Sequence, residues 1–323
     1  MTYLDKHRNE IFKKYTDEEL IKDINNYKNK NGKLTKTLNH FFEECMYNCV
    51  GSRYNYTPME VLQNDDMMEW ILDYIKTKPN FYTSNEVSNV KSFMRNGTRY
   101  ARKVANFCPR TARDIYFRYH DINGNKINIL DTSMGFGARM SAVLLNGHNY
   151  CGIDPNKELF DKLKQYFCFL KNNQYIDGEQ KCEMYCQGSE KYIPQLENQF
   201  DVCFTSPPYF NLEKYSDDNG ESTKNYNNYG LWIDKFVKPT IDNIYRYLKV
   251  GGYVMINIKN LSNKGKEPLF DDWLDIFSSH NGFEFVEVFE MEHQAKKHYA
   301  DNCSYTKEQY KGFKEPIMCF KKV

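Results

Sequence analysis

Residues 205 to 209 read Thr-Ser-Pro-Pro-Tyr and close the apolar run Phe200-Asp-Val-Cys-Phe204. Two consecutive prolines fix φ and remove two backbone donors, so neither a helix nor a strand ladder continues through them. A buried strand therefore runs into a rigid turn that offers a hydroxyl at Ser206, outward carbonyls and the flat face of Tyr209. That set suits a planar ring with an exocyclic amine, because carbonyls accept N–H bonds and the tyrosine stacks on the ring. The plainer reading is a Pro-Pro turn that caps a core strand.

A second group lies upstream, in Asp131-Thr-Ser-Met-Gly-Phe-Gly137. Glycines at such a turn let the backbone approach a ligand. A nicotinamide site wants Gly-x-Gly-x-x-Gly, and here Met140 stands where the third glycine belongs. Gly152-Ile-Asp154 follows about 20 residues after the turn, the spacing at which a strand-end acid bonds ribose hydroxyls. Gly188-Ser189-Glu190 closes a third apolar stretch.

These groups need strands to carry them. From residue 127 the pattern alternates: strands at Ile127 to Leu130, Tyr150 to Ile153, Glu183 to Cys186, Phe200 to Phe204 and Tyr253 to Ile258. Helices are predicted between them at Ala138 to Leu145, Lys157 to Leu170 and Leu231 to Leu248, the last with Pro239 inside it. A helix at Pro268 to Phe277 and strands at Phe283 to Met291 and Pro316 to Lys321 finish the chain. Alternation of this kind predicts a mostly parallel sheet with helices on both faces. The first hundred residues read as helical, with candidates at Asp17 to Asn26, Lys36 to Cys49 and Pro58 to Thr77.

The glycine turn, the strand-end acid and Ser-Pro-Pro-Tyr, in that order, resemble the amino-methylating DNA methyltransferases. Those enzymes move a methyl group from S-adenosylmethionine to N4 of cytosine or N6 of adenine. The resemblance covers roughly residues 105 to 323. It implies a seven-stranded, Rossmann-like α/β sheet whose last strand is antiparallel, with an N-terminal helical appendage. By the same resemblance Ser206, Pro207, Pro208 and Tyr209 are catalytic. Asp131 holds the methionine amino group through its loop, with Ser133, Gly135, Phe136, Gly137 and Thr205 around the donor. Asp154 takes the ribose, and Ser189 stands where the family often has Asp at the adenine. Phe107 and Pro109 match a Phe-x-Pro segment that closes over the methionine end. The chemistry implied is direct displacement by the amine on a flipped base. The C5-cytosine route needs a Pro-Cys nucleophile, and the chain has no Pro-Cys dipeptide. Serine before Pro-Pro-Tyr leans toward N4 of cytosine; N6 of adenine is the alternative, and an RNA or protein amide substrate a further one.

Formal net charge is only +1 over 323 residues, so a DNA surface must come from local clustering. Residues 91 to 119 supply one: Lys91, Arg95, Arg99, Arg102, Lys103, Arg110, Arg113 and Arg118 against the single acid Asp114, interleaved with Phe93, Tyr100, Phe107 and Tyr116. Of these, Arg95, Arg99, Arg102 and Lys103 are expected to face DNA, joined by Phe210 and Lys214 beside the catalytic turn. The alternative is a solvated helix face whose basic stems cover core aromatics. The polar stretch 210 to 230 reads as a long loop. Domains are expected at 1–105, a helical region with a possible target-recognition role, and 106–323, the methyltransferase unit. A separate specificity or nuclease subunit fits the short chain left after the catalytic motif. The charged opening, the lack of a membrane-length apolar run and 10 scattered cysteines predict a reducing cytoplasm of a bacterial, phage or viral host cell. Cys45/Cys49 and Cys182/Cys186 form two Cys-x3-Cys pairs, weak evidence for zinc; Cys182 and Cys186 alternate along a strand and read as core thiols, so no metal is expected.

Overall fold

The computed structural model describes residues 1–29, 32–51, 54–79, 83–210, 226, 228–260, 267–291, 310 and 313–323. Six helices come first: α1 Tyr3–Ile11, α2 Asp17–Lys28, α3 Thr35–Tyr47, α4 Pro58–Gln63, α5 Asp65–Lys76 and α6 Glu86–Asn96. Thr2, Thr16 and Thr57 open α1, α2 and α4 with reciprocal capping boxes, which satisfy otherwise orphaned N–H groups. The single helix expected over Pro58 to Thr77 is two. Asn64 breaks it, because its side chain caps α5 by accepting from the Met67 amide at 3.0 Å.

After α7 (Pro109–Tyr116), β1 (Asn128–Asp131), α8 (Ala138–Leu144), β2 (Asn149–Ile153), α9 (Lys157–Asn172), β3 (Cys182–Tyr185) and β4 (Phe200–Thr205) alternate. Then come α10 (Tyr229–Trp232), a π-helical turn at Ile233–Val237 and α11 (Lys238–Tyr247). The predicted uninterrupted helix is thus widened just before Pro239, which has no amide hydrogen to give to a regular ladder. β5 (Leu248–Asn257), α12 (Leu269–Ser279), β6 (Phe283–Glu290) and β7 (Pro316–Lys322) complete the order. One seven-stranded sheet results, in the order β3-β2-β1-β4-β5-β7-β6. β7 runs antiparallel to both neighbours, and the first five strands pair in parallel. This is the Rossmann-like methyltransferase sheet that the sequence predicted.

β1 and β4 lie side by side, with Leu130 beside Cys203, while β2 and β3 extend the sheet the other way. Such a reversal opens a crevice outside the carboxyl ends of the strands, where ligands of open α/β sheets bind. Asp131, Asp154 and Ser206 all stand at that edge.

One face of the sheet is covered by α2, α3, α7, α8 and α9, whose Tyr27, Phe42, Tyr116, Met140 and Tyr166 share one core. The other is covered by α10, α11 and α12 through Trp232, Ile244 and Trp273. α1, α4, α5 and α6 form a third core of their own. Among the described residues no helix is long and apolar enough to cross a membrane. Cys45 and Cys49 are buried; of the expected core thiols, Cys182 in β3 is half-buried, and Cys186 lies just past β3 and is exposed, so it is not a core thiol.

Candidate active site and donor-binding edge

The turn after β1 is held from four sides. The Met134 amide donates to the Ile153 carbonyl at 3.2 Å, and the Gly135 amide donates to Asp154 Oδ2 at 3.3 Å. Asn106 Nδ2 donates to the Phe136 carbonyl at 2.9 Å. Gly137 has φ +73°, and a Cβ there would lie 2.5 Å from the Phe42 ring of α3, so only glycine fits. Gly152 of β2 is equally constrained, because a Cβ would run into the Met134 side chain.

Beneath the turn lies an ion pair. Asp131 is fully buried, and Arg139 of α8 is 6% exposed. Arg139 Nε donates to Asp131 Oδ2 at 2.8 Å and Nη2 to Oδ1 at 3.3 Å. Nη2 also donates to the Ser133 carbonyl. Tyr150 Oη adds a bond to Oδ2 at 3.1 Å and the Ser133 amide one to Oδ1 at 3.2 Å. A carboxylate has about four acceptor positions, and these four donors fill them. The Asp131 carboxylate is thus committed to Arg139, to Tyr150 and to the loop.

Asp154 follows the end of β2, beside the glycine turn. It accepts from Gly135 and, through Oδ1, from the Asn156 amide at 3.0 Å. Burial pushes its carboxyl up to about 6, against the two amides, which favour the charged form. Because the folded pKa exceeds the ordinary 3.8, the folded state holds its proton longer. This group's contribution to stability is therefore full below pH 3.8 and lost as pH rises toward 6. Ribose hydroxyls need the charged form as acceptor, so donor affinity moves the opposite way. Titrating S-adenosylhomocysteine by calorimetry, we expect the dissociation constant to rise about tenfold per pH unit below the Asp154 pKa. Asp154→Asn should flatten that profile; an unchanged profile in the variant would remove Asp154 from the ribose role.

Other expected residues separate into two groups. Phe107 comes to the edge: its ring meets Phe204 at 5.6 Å and lies 5.7 Å below the Arg139 guanidinium carbon. Pro109 opens α7, buried, and its carbonyl accepts from Tyr27 Oη at 3.4 Å. Ser206 is half-buried, as are Pro208 and Tyr209, while Pro207 is buried. Ser189 turns inward instead of toward a base. Its hydroxyl pairs with Thr240 at 3.0 Å and its carbonyl accepts from Asn243 at 2.9 Å. Phe210 is 3% exposed and packs on Tyr229 and Trp232 at 5.3 and 5.6 Å, so it anchors the turn in the core and is not a surface wall. Lys214 lies outside the described residues, as does most of the 210 to 230 loop.

The basic stretch also divides. Lys91 and Lys103 both reach the buried Glu43 of α3, at 3.3 and 3.4 Å. Arg113 pairs with Asp114 at 2.7 Å and Arg118 with Glu287 at 2.8 Å. Lys103 is thus withdrawn from the DNA-facing set: a buried glutamate needs a cation, and two lysines supply it. Arg95, Arg99 and Arg102 stay exposed. Arg102 Nε donates to the Arg95 carbonyl at 3.3 Å, and Arg99 stacks over Trp70 and Tyr100 at 5.8 and 5.7 Å. Trp70 was not anticipated; it comes from α5, distant in sequence.

Three polar atoms at the strand ends lack a protein partner. Thr132 Oγ1 after β1, Glu190 Oε2 after β3 and Thr205 Oγ1 ending β4 are buried with no hydrogen-bond partner. Unsatisfied buried polar atoms are costly, and these three all lie at the carboxyl ends of parallel strands. Glu190, whose pKa is raised by burial, was missed because the serine beside it matched the family position.

Residues 200–323 match the family described as DNA methylase, a span that begins with β4 and contains the Ser-Pro-Pro-Tyr turn. That segment is similar to the DNA methylase family. The methyl donor of the family is S-adenosylmethionine, and the methylase segment meets the glycine turn at the β1–β4 reversal. A Borreliella burgdorferi protein bearing an ankyrin-repeat name is 20% identical over 282 residues, covering 82% of this chain. The chain spans 65% of that relative's length. Solved structures similar to this chain include a TehB-like SAM-dependent methyltransferase from Corynebacterium glutamicum, 19% identical, TM-score 0.42, covering 66% of this chain and 87% of that one. A tRNA (m1A58) methyltransferase from Aquifex aeolicus is 13% identical, TM-score 0.42, with 70% and 73% covered.

Proposed function

We propose that this chain is a DNA amino-methyltransferase, with N4 of cytosine as its first target and N6 of adenine as the alternative outcome. The observation that supports it most is the placement of Ser206-Pro-Pro-Tyr at the end of β4, next to the glycine turn and Asp154 across the strand reversal. When bound, S-adenosylmethionine supplies a sulfonium methyl already activated for displacement. Asp154 takes the ribose, and the glycine turn lets backbone approach the donor. Ser206 and the carbonyls of the Pro-Pro turn accept the N–H bonds of the base amine, whose lone pair is otherwise delocalised into the ring. Tyr209 stacks on the flipped base. Positioning and electrostatics then carry most of the acceleration.

Arg95, Arg99 and Arg102, with Trp70 and Tyr100, form the surface proposed to follow the DNA backbone. If two of them neutralise phosphates, Arg99→Gln/Arg102→Gln should lower the slope of log affinity against log salt by about two. S-adenosylhomocysteine binding should stay as in the wild type. An unchanged slope would return this patch to the role of a solvated surface.

The function itself is tested by incubating the protein with S-adenosylmethionine and unmodified AT-rich and GC-rich DNA, then analysing the nucleosides by mass spectrometry. N4-methylcytosine is the expected product. N6-methyladenine would keep the mechanism and reverse the base. Neither product, with the donor bound, would overturn the DNA assignment.

A further inference from the structure

Arg139 carries more hydrogen-bond donors than the ion pair uses. Its Nε and Nη2 are spent on Asp131 and the Ser133 carbonyl. Among the described residues no acceptor takes Nη1. The side chain is only 7% exposed, and Nη1 is not among the buried atoms that lack a partner, so what exposure remains leaves its two N–H groups accessible. They point at the glycine turn: Nη2 and Nη1 lie 3.6 and 4.0 Å from where a Cβ would stand on Gly135, with no other side chain as near. Asp131, Tyr150 and the Phe107 ring hold the guanidinium in one orientation. A buried, oriented guanidinium with an open nitrogen is matched by a carboxylate, which takes such N–H groups at short range.

We infer that Arg139 receives the α-carboxylate of the donor's amino-acid moiety at Gly135, and that Asp131 acts by aiming Arg139. The inference rests on the donor being S-adenosylmethionine, as proposed above. It reverses the expected polarity of this corner, which presents a cation to the ligand while its acid stays behind.

The test compares two ligands that differ only at this end. S-adenosylhomocysteine carries the amino-acid moiety; 5′-methylthioadenosine keeps the nucleoside and lacks it. Arg139→Met alone leaves Asp131 buried and unpaired, so the working variant is Asp131→Asn/Arg139→Met, checked for wild-type folding by circular dichroism. By calorimetry the double variant should bind S-adenosylhomocysteine about tenfold to a hundredfold more weakly, the worth of one charge-assisted hydrogen bond. Its affinity for 5′-methylthioadenosine should match the wild type. Equal weakening for both ligands, or no weakening for either, would overturn the inference. Failure of the wild type to bind either ligand would overturn the donor assignment and this inference with it.

Discussion

Ser206→Ala and Tyr209→Ala should each cut methyl transfer, Ser206→Ala by about a hundredfold or more, while S-adenosylhomocysteine binds as in the wild type. The serine sits at the end of β4, one strand away from the glycine turn, and in our proposal it contacts the base amine and not the donor. Removing one preorganised hydrogen-bonding group from such a site costs about 100- to 1,000-fold in rate. Losing the ring of Tyr209 forfeits a base–aromatic stack worth about 1–3 kcal/mol, and Tyr209→Phe should recover most of it. Single-turnover transfer of a labelled methyl group, paired with calorimetry, separates the two sites. Should Ser206→Ala weaken S-adenosylhomocysteine as much as Asp154→Asn does, the assignment of base site and donor site would be wrong.

The second large effect concerns stability. Arg139→Met alone should destabilise the fold by about 3–5 kcal/mol, because it leaves the Asp131 carboxylate buried with no cation. Asp131→Asn/Arg139→Met should recover most of that, since removing both charges removes the penalty. Urea unfolding at pH 7 reads both values. A double variant no more stable than the single one would show that Tyr150 and the Ser133 amide require the carboxylate for the loop to form.

Much of the site could be read from the chain because its parts are local. A glycine turn between an apolar strand and a helix, an acid ending the next strand and a Pro-Pro turn ending another are each set by a few adjacent residues. The strands carrying them lie within a residue or two of expectation, and β7 reverses as predicted. What escaped depends on partners far apart in sequence. Lys103 looks like a surface cation until Glu43 of α3 is brought beneath it. Phe210 looks like a DNA-facing residue until Tyr229 and Trp232 pack against it. Arg139 had a readable signal: an acid buried at a strand end needs a cation, and Arg139 is the first basic residue after it. Asn64 before two aspartates was likewise a legible helix start. The π-helical turn before Pro239 was not, since an inserted residue changes no composition.

The Phe42 ring against Gly137 ties the two parts of the chain together. α3 belongs to the first hundred residues, yet its Phe42 ring is the back wall of the turn after β1. A fragment beginning at residue 106 would lack that wall, however complete its sheet. The coupling is also reciprocal: a ligand that fixes the turn must steady α3, and whatever loosens α3 must weaken the ligand by the same free energy. Lys91 and Lys103 grip Glu43 of the same helix, next to Phe42, so the basic segment and the turn after β1 both pack on α3. The helical layer is thus joined to the turn after β1 through the packing of α3.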